Sequence, residues 1–111
     1  MLHTMNLHPA PFEMIQSGEK TIELRLYDEK RQQIQPGDTI VFTNTATGET
    51  LEKTVVKLHV FPDFVALYAA LPLLRCGYTE KDIATAHPDD MALYYSPEKQ
   101  AKYGVVGIEL G

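Results

Sequence analysis

Lysine, glutamate and arginine stand together in the octet Gly18-Glu19-Lys20-Thr21-Ile22-Glu23-Leu24-Arg25. Arg25 offers a planar fork matched to phosphate or carboxylate oxygens. Lys20 offers a point charge, or an amine that acts as a base once desolvated. Glu23 can orient either cation, accept from an amino group on a base, or move a proton. From Thr21 to Leu26 polar and apolar residues alternate, which is the period of a β-strand. Thr21, Glu23 and Arg25 are therefore expected on one face and Ile22, Leu24 and Leu26 on the other. A strand fixes such groups more rigidly than a loop, as a site requires. The same residues would otherwise form an ion-pair ladder contributing only about 0.2 to 1 kcal/mol per pair.

Further candidates surround these three. Lys30 and Arg31 extend the cationic patch, Lys53 and Lys57 are possible additions, and Glu19, Glu23, Asp28 and Glu29 are interleaved with it. Tyr27, Tyr94, Tyr95 and Tyr103 can stack on a base or pack at the rim, and packing is the expectation for most of them. A tyrosine doublet turns its rings in different directions, so at most one of Tyr94 and Tyr95 is expected to stack on a ligand. His3, His8, His59 and His87 have no spacing that suits a metal site. Cys76 follows Arg75, which would lower its pKa, but no histidine base accompanies it and an inert thiol is expected. There is no nucleophile elbow, dinucleotide loop or Walker motif, so no cofactor or metal is expected.

The chain has 111 residues, the size of one domain, and a single domain over residues 1–111 is expected. A hydrophobic share of 44% and a charged share of 23% suit a folded chain. With one cysteine no intrachain disulfide can form, which fits a reducing cytoplasm. No leader pattern or run of about 20 apolar residues is visible, so a cytoplasmic protein without membrane contact is expected. Ten basic residues against fifteen acidic ones give a net charge of −5. Bulk electrostatics then repel nucleic acid. RNA binding would need a local patch, and no DNA partner is expected.

The elements that would hold these residues follow from local signals. Leu2 to His8 reads as a strand. Pro9-Ala10-Pro11 suits a helix start, Phe12 and Ile15 give it an apolar stripe, and Gly18 ends it. Pro36-Gly37-Asp38 is a turn before a strand over Thr39 to Thr43 with Ile40 and Phe42 inward. Thr47-Gly48-Glu49 turns into a longer strand, Leu51 to Val60, in which Val56, Leu58 and Val60 alternate with Lys57 and His59. Asp63 caps a helix over Phe64 to Leu71. Thr79 with Asp82 signals a helix that His87-Pro88 ends. Ser96-Pro97 starts another that Gly104 stops, and Val105 to Leu110 is a last strand. The sum is an α+β chain: a small, curled, mostly antiparallel sheet with short flanking helices.

The octet resembles the Gly-x-Lys-x-x-Glu-x-Arg signature of the ASCH domains, small β-barrels similar to the PUA fold of RNA-binding proteins. The preceding helix, the Pro36-Gly37-Asp38 turn and the close Tyr94-Tyr95-Ser96-Pro97-Glu98 … Tyr103-Gly104-Val105-Val106-Gly107-Ile108 extend the likeness over nearly the whole chain. The resemblance implies a closed or curled PUA-like barrel that binds RNA or a small nucleoside or nucleotide at Lys20, Glu23 and Arg25, with Lys30, Arg31 and Tyr95 as further contacts. Some ASCH relatives are amidohydrolases that deacetylate acetylated cytidine through a lysine and a threonine three residues later. Lys20 matches the lysine, while Glu23 stands where the threonine nucleophile would be. An acyl group transferred to a carboxylate would form an anhydride, so catalysis by Lys20 and Glu23 would have to run through an activated water. A non-enzymatic protein-interaction module is the third reading.

Overall fold

A computed structural model describes residues Met1–Gly111. Strand β1 (Leu2–Leu7) leads into helix α1 (Pro9–Ser17), then β2 (Ile22–Leu26), β3 (Thr39–Asn44), β4 (Thr50–Phe61), α2 (Phe64–Ala70), α3 (Pro97–Tyr103) and β5 (Val105–Leu110), with short 3₁₀ turns between several of them. The local signals account for most boundaries. Gly18 adopts φ 88° and its N–H bonds Ile15 O at 3.2 Å, a left-handed cap that a side chain would strain. Asp63 accepts from the Ala66 N–H at 2.9 Å and Ser96 from the Lys99 N–H at 3.2 Å, so both expected N-caps are made.

The five strands form one sheet in the order β1-β3-β4-β5-β2. The β1–β3 pairing is parallel, and the β3–β4, β4–β5 and β5–β2 pairings are antiparallel. The sheet curls so that its two edge strands approach one another. Its inner face holds Met5, Leu7, Ile40, Phe42, Val55, Val106 and Ile108, closed at one end by Phe12 and Ile15 of α1. Its outer face between β2 and β5 carries Ile22, Leu24, Leu26 and Val105, covered by Phe64 and Leu67 of α2. The α+β class and the curled, mostly antiparallel sheet are those expected.

Two expectations differ. Strand β4 carries a bulge between Val55 and Lys57. The extra residue interrupts the simple alternation, so Val55 enters the core while Val56 stays 50% exposed. The helix expected from Thr79 to His87 is only a 3₁₀ turn, Ile83–Thr85, followed by a second one, Pro88–Leu93. The Asp82 carboxylate accepts from both the N–H and the hydroxyl of Thr79, which closes a local turn. No apolar stripe then draws the segment into a longer helix, and the chain from Cys76 to Tyr95 instead wraps beside β2.

Candidate functional site

Two backbone bonds set the start of β2. The Lys20 N–H donates to Met14 O at 3.0 Å and the Thr21 N–H to Arg75 O at 2.9 Å. They bring Lys20 under the loop at Gly77. There φ is 112°, and a β-carbon would lie 3.5 Å from the Lys20 side chain. Glu23 and Arg25 follow at strand spacing, opposite Ile108 and Val106 of β5.

The three ionic groups converge. Lys20 Nζ stands 2.7 Å from Glu23 Oε1. The Arg25 Nε and Nη2 groups donate to Glu23 Oε2 at 3.0 and 2.9 Å. Arg25 Nη2 also donates to the Asn6 carbonyl on β1, 2.9 Å away, bridging the two sheet edges. The side chains of Glu23, Lys20 and Arg25 are only 5%, 10% and 16% exposed. Burial pushes the Glu23 carboxyl upward, but the Lys20 ammonium, the Arg25 guanidinium and their hydrogen bonds outweigh it and hold the group below the usual carboxylate range. Glu23 is therefore ionised at neutral pH. The polar face of β2 is not its solvent face. It points into the curl of the sheet, where charges persist only because they are paired.

A cavity of about 720 Å³ opens beside this cluster. That volume suits a small organic ligand. Leu7, Pro11 and Met14 form one wall, and Tyr68, Tyr78, Met91 and Tyr95 another. The Tyr95 ring stacks on Phe64, with centroids 6.0 Å apart and planes at 21°. Tyr94 also lines the cavity but is 68% exposed, at its rim. Across the cavity the Tyr78 hydroxyl donates to Asp90 Oδ2 at 2.7 Å. The Tyr68 hydroxyl, 2.6 Å from that of Tyr78, must then be the donor in their shared bond.

Lys20, Glu23, Arg25 and Tyr95 all line this cavity. Lys30 and Arg31 do not line the cavity: Lys30 is exposed and Arg31 is paired with Asp28 at 3.0 Å. Lys53 and Lys57 lie on β4, also outside the lining. Tyr27 packs against the inner core and Tyr103 against the cluster under α2. Cys76 lines the cavity, but burial pushes its thiol up to about 11 despite Lys20 and Arg75, which leaves it unreactive near neutrality. His3 pairs with Asp38 and His59 with Glu109, and no three His, Cys, Asp or Glu residues gather as metal ligands. Tyr68, Tyr78, Gly77 and Asp90 had no signal in the sequence, because their association depends on how the irregular segment wraps.

The model of the ASCH domain matches residues 5–111. The chain belongs to the ASCH domain family. Among solved structures, this ASCH domain is similar to the hypothetical protein PH0355, with a TM-score of 0.82 and 34% identity over 99% of this chain and 97% of that one. Protein PF0455 from Pyrococcus furiosus is also 34% identical, with a TM-score of 0.76 over 99% and 96% of the two chains. The ASCH protein from Zymomonas mobilis shares the fold at 16% identity, with a TM-score of 0.63, the match covering 97% of this chain and 65% of that one. No curated protein matches this ASCH domain in sequence. None of its helices is long and apolar enough to cross a membrane.

Proposed function

We propose that this ASCH domain binds a nucleoside, or a single nucleotide of RNA, in the cavity beside β2. The observation that carries the reading is a buried Lys20–Glu23–Arg25 cluster on the wall of a hollow of about 720 Å³, ample for a nucleoside, with tyrosine and methionine sides. Both oxygens of Glu23 are engaged by the cations, so its role is to hold them in place. Donors remain for a guest: Lys20 has three N–H bonds and uses one, and the Nη1 group of Arg25 is uncommitted. They suit a carbonyl or phosphate oxygen. The apolar walls accept a flat ring.

Titration calorimetry with cytidine, cytidine monophosphate and a short single-stranded RNA, at low and moderate salt, tests the reading. Arg25→Ala removes a charged donor pair and is expected to weaken binding by about tenfold or more. Affinities unchanged by Arg25→Ala would refute the site. The geometry favours binding over amide hydrolysis. A carboxylate depressed by two cations is a weak base, and the buried Cys76 thiol is not a substitute nucleophile. Incubation with acetylated cytidine separates the two readings: release of acetate that Lys20→Ala abolishes would favour the hydrolase.

A further inference from the structure

Residues Thr79–Tyr94 form a loop pinned at one point. Every backbone-to-backbone hydrogen bond they make joins two residues of the loop, except that Met91 O also accepts from the Tyr95 N–H at its end. Their side chains bond within the loop as well, Thr79 with Asp82 and His87 with Asp89. The one other hydrogen bond that leaves the loop runs from the Tyr78 hydroxyl to Asp90 Oδ2 at 2.7 Å. No residue from 79 to 94 is buried, and of these only Met91 packs against the cluster under α2. The flanking residues, by contrast, are both fixed to α2. Tyr78 shares a hydroxyl bond with Tyr68 and meets its ring edge-to-face, and Tyr95 stacks on Phe64. A segment with so few buried contacts and no ladder to the sheet moves at low cost.

The loop also carries apolar surface to the cavity mouth. Leu93 is 85% and Tyr94 68% exposed, and both line the cavity. Ala10, Pro11 and Met14 of α1 supply apolar surface on the other wall. The loop holds Glu80, Asp82, Asp89 and Asp90 against one lysine, Lys81, while in the cavity two cations share one carboxylate. Apolar burial and charge both favour a closed arrangement, and one bond opposes it. We infer that Thr79–Tyr94 is a lid, held open by the Tyr78–Asp90 bond, which turns about its two anchored ends to lay Leu93 and Tyr94 on α1 and close the cavity. Closure needs no particular guest; retention of a guest beneath the lid rests on the binding role proposed above.

The chain contains no tryptophan, so Leu93→Trp places a single fluorescent reporter at the tip of the loop. Tyr78→Phe keeps the ring beside Tyr68, and loss of one hydrogen bond shifts an open–closed balance by about fivefold. Without any ligand, adding Tyr78→Phe to Leu93→Trp is expected to move the indole emission to the blue and to cut its quenching by acrylamide about twofold. Ala10→Asp, which sets a charge on the receiving wall, should restore both. Circular dichroism melts confirm that each variant folds. An indole equally quenched with and without the Tyr78 hydroxyl would overturn the lid. The second arm uses the unaltered chain and follows hydrogen exchange by mass spectrometry, with cytidine monophosphate at the concentration that saturates calorimetry. Amides of residues 83–87, which do not line the cavity, should exchange about fivefold more slowly. Bound nucleotide with unchanged exchange there would overturn the lid and leave the binding site standing. Absence of nucleotide binding with the indole response intact would end the binding reading and leave the lid.

Discussion

Glu23→Gln tests the organisation of the site without any ligand. The substitution keeps the shape of the side chain but leaves the Lys20 ammonium and the Arg25 guanidinium facing one another with no anion between them. Removing one member of a buried ion pair costs about 3 to 5 kcal/mol. Lys20 and Arg25 keep a little access to water, which places the loss at about 3 kcal/mol, the lower end of that range. For a domain of this size roughly 4 °C is lost per kcal/mol, so melting should fall by about 12 °C at pH 7. The pH dependence gives an independent check. The folded-state pKa of Glu23 is depressed below its unfolded value. Its stabilisation is therefore complete above the unfolded value of 4.5 and disappears as pH falls through the folded one. The amide of the variant cannot titrate, so the gap between the two proteins should close in acid. Melts followed by circular dichroism from pH 7 down to pH 3 measure this. A variant that melts within about 2 °C of the wild type at pH 7, with a gap that acid does not change, would refute the claim that one carboxylate holds both cations.

Other perturbations separate backbone from site. Gly18→Ala and Gly77→Ala both force a side chain onto positive φ, at about 1 kcal/mol or more each, but only at Gly77 does the new methyl meet Lys20. Both should melt earlier, and only Gly77→Ala should also weaken nucleoside binding in calorimetry. Cys76 should resist alkylation by iodoacetamide at pH 8 in the folded protein and react readily in urea, since burial raises its thiol to about 11; mass spectrometry follows the adduct, and equal rates in the two conditions would contradict its burial.

What the sequence conveyed follows from how local each signal is. Alternation over six residues was enough to place Glu23 and Arg25 on one face of β2, and the caps at Gly18, Asp63 and Ser96 set three helix boundaries. These features depend on neighbours within a few positions. Alternation does not say which face of a strand is covered. For β2 it is the charged face that the curl of the sheet and α1 bury. The bulge at Val56 follows from pairing with β5, which is distant in sequence. The Tyr68–Tyr78–Asp90 chain links residues 22 positions apart across mostly irregular backbone, and no periodicity could foretell it. Lys30 and Arg31 were grouped with the site by proximity in the chain, but the Arg31–Asp28 pair keeps the guanidinium at its own turn.

The contact from the Arg25 guanidinium to the Asn6 carbonyl joins two sheet margins that share no backbone ladder. Parting those margins ruptures a side-chain latch, whereas separating any other neighbouring strands dismantles a run of amide bonds. Breathing of the barrel is thus channelled to one seam, beside the hollow. Because Arg25 is the clasp of the fold, a guest bound there as proposed would couple its occupancy to the tightness of that seam.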